Sequence, residues 1–374
     1  MRRILLCALL VVLPLAAFAP DTEEVQDGLS ALLDAVDLSA WDDWFAGQDE
    51  SFGTFVPSDF LNDTVETGGS TLSAKTLYDR LQRAMREDVY AALGRLAIYV
   101  GLGVLCALFA GLSPQGGAAH MAEPILRIVT GCAVLATVFP YLWQAQRTLT
   151  LLHDTGEVLT PILLSFLILC GMEASGALLT PTMALLADGV IGVMTRIVLP
   201  VALIGGVLCT VDPMQNGRVA SIGKLCHRLC RWGVGVLSSL YLAVTAIRSV
   251  VATNSDSLLL RTTKLAAGSL PVVGGLVSDS VETAYQCLVL VRSTLGVTGI
   301  LVLLLLCVKP ILALFLQQCA LKVGAVIARM FGTKAYAETL DGMGNTLGVA
   351  LLCVIAVLVM YLACVGLLMG VLKA

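Results

Sequence analysis

Charge is what this sequence has least of. Of its 374 residues only 13% are Asp, Glu, Lys or Arg, about half the roughly 25% of an ordinary soluble domain. With 57% hydrophobic residues and a mean hydropathy of +0.89, the chain carries more apolar surface than water tolerates. That excludes a soluble globular fold and requires lipid as solvent. The net charge is −4, so nothing favours a nucleic-acid partner. Histidine is scarce too: His120, His153 and His227 have no metal-ligand spacing among themselves. No G-x-S-x-G, H-E-x-x-H or Walker pattern occurs, so the parts of a hydrolase or nucleotide motor are missing. Asp212-Pro213 and Asp341-Gly342 read as turn chemistry, not as aspartyl-protease motifs. The expectation is a protein that is not an enzyme and holds no cofactor, with energy for any active transport coming from a partner or an ion gradient.

Cysteine is plentiful, with 12 residues, but Cys106, Cys132, Cys170, Cys209, Cys307, Cys353 and Cys364 all fall inside apolar runs. There a thiol behaves as a small apolar side chain. Cys226 and Cys230 stand one helical turn apart beside His227, a spacing that begins a zinc site. A structural zinc needs a second pair of ligands, which is missing, so no metal is expected.

Met1 to Ala19 has Arg2 and Arg3, an apolar core and a small-residue end, the pattern of a secretory signal peptide. Pro20 follows directly, so the alternative is a short uncleaved anchor; both leave residues 20–93 outside the cytoplasm. That N-terminal region is polar, with amphipathic helices at Gly28–Val36 and Leu72–Val89. Trp41, Trp44, Phe45, Phe52, Phe55 and Phe60 lie between them, as filling for a small core or as an interfacial or docking surface. The polytopic membrane domain, 94–374, follows. Apolar runs near the 20 residues needed to span a bilayer occur at Leu93–Leu112, Ile125–Trp143, Val190–Thr210, Val234–Ala252, Cys287–Val308, Ile311–Phe331 and Leu347–Leu372.

The segment Val158–Gly189 resists this scheme, because its first half ends at Glu173, Ser175 and Gly176 and its second starts at Pro181 and carries Asp188. Orientation bears on it. The loop 210–232 holds Arg218, Lys224, Arg228 and Arg231 against Asp212, so the positive-inside tendency assigns it to the cytoplasm. Counting from an external N-terminus, that works only if Val158–Gly189 enters and leaves on one side, as a re-entrant pair or tight hairpin. The count then puts 256–282 outside, Lys309 inside, Arg329–Asn345 outside and Lys373 inside. The fold class is all-α: a polytopic helical membrane protein of about seven full spans plus a possible re-entrant hairpin, with a small extracytoplasmic helical region.

Ionisable groups in apolar segments pair, snorkel or mark a pathway. Arg127, Arg147, Arg248, Lys309 and Arg329 sit near run ends, where snorkelling accounts for them. Glu173, Asp188, Arg196, Arg292 and Lys322 do not yield to that account. Asp188 and Arg196 are eight positions apart, on one helical face but about 12 Å distant along it, so each would meet a partner on another helix. Glycines at Gly101/Gly103, Gly192, Gly205/Gly206 and Gly233/Gly235 allow close helix approach.

Thr253 to Ile300 is the polar interruption around which the chain is organised. Leu258, Leu259, Thr262, Leu265 and Ala266 recur at helical spacing, so Asp256–Gly268 reads as an amphipathic helix capped by Ser255 or Asp256. Gly268, Pro271, Gly274 and Gly275 break it, and a second polar-faced helix starts near Asp279. Two readings fit: an interfacial helix, a turn and a membrane helix, or a broken segment at membrane depth shielded by protein or a water-filled cavity. Arg261 and Lys264 share one helical face, Asp279 and Glu282 another, so the break would bring opposite charges together, unless both faces are merely solvated.

The same stretch carries a family resemblance. LLRTTK, then GSLPVVGG, SDSVET and STLGVTG resemble the stage III sporulation protein AE family, polytopic proteins of the mother-cell membrane in endospore-forming bacteria. The likeness extends more loosely from about Arg95 to the C-terminus. It implies a subunit of the channel or secretion-like complex joining mother cell to forespore after engulfment. Its implied partners are the other stage III sporulation A-operon membrane proteins, including a secretion-type ATPase, and a forespore-side protein, all in or against the lipid bilayer. Two other functions are weighed against it. One is a self-contained secondary transporter with broken helices at 171–181 and 268–275, although the two halves show no alignable repeat. The other is an intramembrane enzyme, which lacks parts.

Overall fold

The computed structural model describes residues 73–112, 117–169, 181–211, 218–268 and 303–370 apart from 305, and among them there is no strand. Helix α1 is Ser73–Leu112 and α2 is Gly117–Leu169. Helix α3 is Pro181–Thr210, α4 is Arg218–Gly268, α5 is Leu306–Met330 and α6 is Lys334–Gly370. Each contains one candidate membrane span: Asp88–Phe109, Ile128–Val158, Pro181–Thr210, Ser221–Arg248, Leu306–Met330 and Lys334–Gly366. Length and hydropathy make these six helices able to cross a bilayer. They match six of the seven expected runs; most of the seventh, Cys287–Val308, lies outside the described residues.

Helix α6 is the most apolar of the six spans and the centre of the bundle, packed against α2, α3 and α4. Its Leu347, Val349, Ala350, Cys353, Val354, Val357 and Met360 are all fully buried. In lipid such contact is driven by close packing and interhelical polar bonds, not by exclusion of water. The turn into α6 follows from sequence. Gly332 takes φ +79°, a left-handed conformation at little cost only for glycine. The Thr333 N–H donates to Ala328 O at 3.1 Å and the Gly332 N–H to Arg329 O at 3.0 Å. That is a Schellman stop for α5, and it sends α6 back antiparallel within three residues.

Contacts fix which helix ends share a side. At one end Gly131 faces Thr210, Gly223 faces Cys209 and Gly342 faces Cys209, with Arg329 paired to Asp341. At the other end Gly156 faces Tyr361, and Cys364 lies beside Thr182 and Tyr241. The six helices therefore alternate in direction. The end of the α2 span at Val158 and the start of α3 at Pro181 lie on the same side, as the sequence count required. The expected hairpin Val158–Gly189 falls partly outside the described residues. Residues 181–189 belong to α3, α2 continues to Leu169, and 170–180 lie outside the described residues.

Several boundaries differ from the sequence reading, each because helix propagates through a residue read as a break. Leu72–Val89 and Leu93–Leu112 are one helix. Residues 218–232 are the first turns of α4 and not a loop. Asp256–Gly268 is the end of that same helix, so Ser255 and Asp256 cap nothing. Asp341-Gly342 is mid-helix, not a turn. The alternation also places Arg329–Asn345 at the same end as Thr210 and residues 218–232, and Lys309 at the opposite end. The expected count separated them by assigning a single crossing to Cys287–Val308. A membrane-impermeant thiol reagent tests this: with other accessible cysteines removed, Ser221→Cys and Thr333→Cys should label from one side and Glu157→Cys from the other. Labelling of Thr333→Cys with Glu157→Cys would break the alternation.

Candidate functional site

Among the described residues, three groups of interhelical polar bonds bear on the site. The first is the crossing of α3, α4 and α6. Gly205 and Gly206 on α3, Gly223 on α4 and Gly342 on α6 let the backbones meet: a Cβ on Gly223 would lie 2.6 Å from the Gly205 carbonyl oxygen and 2.7 Å from Cys209 Sγ. Beside them His227, 2% exposed, bonds through Nε2 to Thr346 Oγ1 at 2.9 Å and Ala202 O at 3.2 Å. Thr346 donates to Ala202 O or Gly342 O, both at 3.2 Å. Cys230 Sγ donates to Val198 O at 3.7 Å. The Cys226/His227/Cys230 spacing is thus explained by helix pairing. Among the described residues no His/Cys/Asp/Glu group converges as a metal site.

The second is a buried chain across α1, α2 and α5. Arg95 Nη1 donates to Gln317 Oε1 at 3.0 Å, and Gln317 Nε2 donates to Tyr99 Oη at 2.6 Å. Tyr99 Oη bonds Thr137 Oγ1 at 2.8 Å, and Tyr336 Oη donates to Tyr99 O at 3.0 Å. The Arg95 guanidinium also lies over the Tyr141 ring, 4.7 Å from its centroid. Gln317 is wholly buried, and its amide ties α5 to this chain.

The third is ionic. Lys322 Nζ reaches Asp341 Oδ1 at 3.1 Å and Asn345 Oδ1 at 2.9 Å. Arg329 pairs with the other Asp341 oxygen, and Arg231 Nη2 donates to the same Asn345 Oδ1 at 3.1 Å. Lys322 is therefore paired, as a charge in an apolar run should be. Asp341 acts as its counter-ion.

Asp188 and Arg196 behave differently. Both lie in α3 and both are exposed on the outside of the bundle. Each sits in a π-helical stretch, Asp188 in Leu185–Ile191 and Arg196 in Met194–Val198. Such turns are uncommon and recur at functional positions; nothing in the periodicity of the sequence announces them. The stripe they share includes Ala184, Leu185, Gly189, Val193, Ile197 and Ile204. The opposite face, with Leu186, Val190, Met194 and Ala202, is buried. Charges thus stand on a surface whose other residues suit lipid or another helix.

Of the remaining expected residues, Arg261 and Lys264 lie on the helical backbone of α4, three positions apart as required for one face, and α4 ends at Gly268. Pro271, Gly274, Gly275, Asp279, Glu282 and Glu173 lie outside the described residues, so the charge pairing across the bend does too. Sequence reasoning missed Arg95, Tyr99, Gln317, Asn345 and Thr346. An uncharged amide in an apolar run was the available signal for Gln317 and Asn345.

Six apolar helices in alternating directions, with interhelical polar bonds at small-residue crossings, define a polytopic helical membrane protein. The sequence profile of the family described as Stage III sporulation protein AE matches residues 56–371. The chain belongs to that family. It is also similar to the Stage III sporulation protein AE of Bacillus subtilis (strain 168), with 22% identity over 251 residues, covering 67% of this chain and 63% of the relative. The aligned stretch thus spans less than two thirds of that relative's length. No solved structure matches the chain.

Proposed function

We propose that this protein is a non-enzymatic, multi-pass subunit of a channel or secretion-like complex between mother cell and forespore, needed for spore development after engulfment. Membership of the stage III sporulation AE family supports the setting. The observation that carries the subunit reading is the outer face of α3. Asp188 is exposed there, well inside a span of 30 residues, and Arg196 is exposed nearer the end where Cys230 meets Val198. An ionisable side chain facing hydrocarbon costs at least about 2.5–3.5 kcal/mol on insertion scales. A neighbouring membrane protein bearing the opposite charges at these depths would remove that cost. The partners expected are the other stage III sporulation A-operon membrane proteins, including a secretion-type ATPase, and a forespore-side protein.

In this reading the chain lies in the mother-cell membrane facing the forespore, with its N-terminal region outside the cytoplasm. The end of the bundle bearing Arg218, Lys224, Arg228, Arg231, Arg329 and Lys334 is cytoplasmic by the positive-inside tendency. A self-contained transporter is the rival reading, but its proposed breaks at 171–181 and 268–275 fall almost entirely outside the described residues.

Affinity purification from sporulating cells tests the proposal. Several membrane partners should co-purify with the unmodified chain. Asp188→Leu combined with Arg196→Leu should release at least one of them and block sporulation while leaving the protein level unchanged. A chain that purifies alone and moves solute in liposomes without partners would establish the transporter instead.

A further inference from the structure

The ionic cluster at the proposed cytoplasmic end does not balance. Lys322, Arg329 and Arg231 converge on Asp341 and Asn345, three cations against one carboxylate among the described residues. Exposed Glu338, one turn before Asp341 on α6, still leaves a positive surplus. Arg231 and Lys322 donate to the same Asn345 oxygen, which holds their nitrogens within about 6 Å of each other, a repulsive distance for like charges. A neutral amide oxygen satisfies their hydrogen bonds without cancelling their charge. Three helices supply these residues, so the surplus is fixed by the crossing of α4, α5 and α6.

The level of the cluster in the membrane is also defined. The apolar runs of α4 and α6 begin at Val234 and Leu347, directly after Arg231 and Asn345. Trp232, beside Arg231, is 67% exposed, an aromatic anchor of the kind found at the headgroup layer. The Lys322 and Arg329 side chains keep 38% and 54% of their surface open, so an anion can reach them from the bilayer.

We propose that Arg231, Lys322 and Arg329 form a binding site for a phosphodiester anion, supplied by the headgroup of an anionic phospholipid. Basic pockets between membrane helices on the cytoplasmic side favour such headgroups, and a guanidinium beside an ammonium offers both bidentate and point-charge contact to phosphate oxygens. The site does not depend on the assembly proposed above. Its failure and the failure of the subunit reading are separate results.

The full chain, purified and reconstituted in nanodiscs, provides the test. Three preparations are compared: phosphatidylcholine alone, phosphatidylcholine with phosphatidylglycerol, and phosphatidylcholine with inorganic phosphate in the buffer. Thermal unfolding and the phosphatidylglycerol retained after detergent washing are read. Phosphatidylglycerol should be retained and should raise the unfolding midpoint. Arg231→Gln and Lys322→Gln should each weaken retention about fivefold. Lys334→Gln, which removes an equal charge from the same end outside the cluster, should not. Asn345→Asp places the missing negative charge inside the cluster. It should hold or raise stability in phosphatidylcholine and abolish the response to phosphatidylglycerol, an outcome that a merely unfolded variant cannot mimic. Equal retention by the unmodified chain and all variants overturns the site. Stabilisation by inorganic phosphate without retention of phosphatidylglycerol overturns the lipid as its source.

Discussion

Replacing Gly223 by leucine will separate α3 from α4. A Cβ at this position lies 2.6 Å from the carbonyl oxygen of Gly205 and 2.7 Å from Cys209 Sγ. The carbonyl belongs to the backbone of α3 and cannot swing aside as a long side chain would. The helices must move apart, and that movement also pulls Ala202 O away from His227 and Thr346, whose bonds to it are 3.2 Å long. Overpacking alone costs roughly 1–3 kcal/mol, and the buried His227 imidazole, which keeps Thr346 Oγ1 at 2.9 Å but loses Ala202 O, adds about 0.5–1.5 kcal/mol more. Little folded protein should survive size-exclusion chromatography in detergent. Gly223→Ala should be intermediate, because the clash begins at Cβ. Gly235 provides the control on the same helix, since a Cβ there meets nothing within 4 Å. Gly235→Ala should leave the unfolding midpoint unchanged or raise it, as glycine is intrinsically the poorer helix former by about 0.5–1 kcal/mol. If Gly223→Ala proves as stable as Gly235→Ala, the helices do not touch at this crossing.

That contrast shows what the sequence could and could not reveal. Small residues pointed to close helix approach, and at Gly103, Gly205 and Gly206 the approach is real. Gly101, Gly192, Gly233 and Gly235 face open space; composition cannot tell a lipid-facing glycine from one at a crossing, because both leave the same apolar run. Gly223 and Gly342 were hidden by their neighbours. Lys224 and Arg228 gave Gly223 the polar surroundings of a loop, and Asp341 gave Gly342 those of a turn. In each case the polar residue belongs to a helix extending past the apolar run. The spans were legible because about 20 apolar residues are needed wherever the chain crosses. The charge pairs were not, because they depend on which helices become neighbours. Lys322 and Asp341 are 19 residues apart on antiparallel helices. Arg95 and Gln317 are separated by 222. Cys132, expected among the buried thiols, is exposed; its run is apolar on every face and gives no sign of which one turns inward.

Gln317→Leu is the substitution that tests the buried chain. Leucine fits an apolar run, so by composition alone the change is harmless. Gln317 is fully buried, and its amide gives Arg95 an acceptor at 3.0 Å and Tyr99 a donor at 2.6 Å. Removing it leaves the Arg95 guanidinium with the Tyr141 ring as its remaining described contact, inside the span Asp88–Phe109. Tyr99 loses less, because Thr137 stays within 2.8 Å of its hydroxyl. Interhelical hydrogen bonds in lipid are individually modest, about 0.6 kcal/mol on average. The loss expected here is larger, about 2–3 kcal/mol, because a charged donor is stranded and not merely unpaired. The partners can be told apart by removing both ends. Arg95→Leu alone strands only a neutral amide, and Arg95→Leu combined with Gln317→Leu strands no charge. The double variant should therefore be more stable than Gln317→Leu alone, measured as the midpoint of thermal unfolding in detergent. Tyr99→Phe in the Gln317→Leu background should recover little, since the hydroxyl still has Thr137. A double variant no better than the additive sum would show that Arg95 reaches water or headgroups without Gln317, and that the amide serves only to fill space.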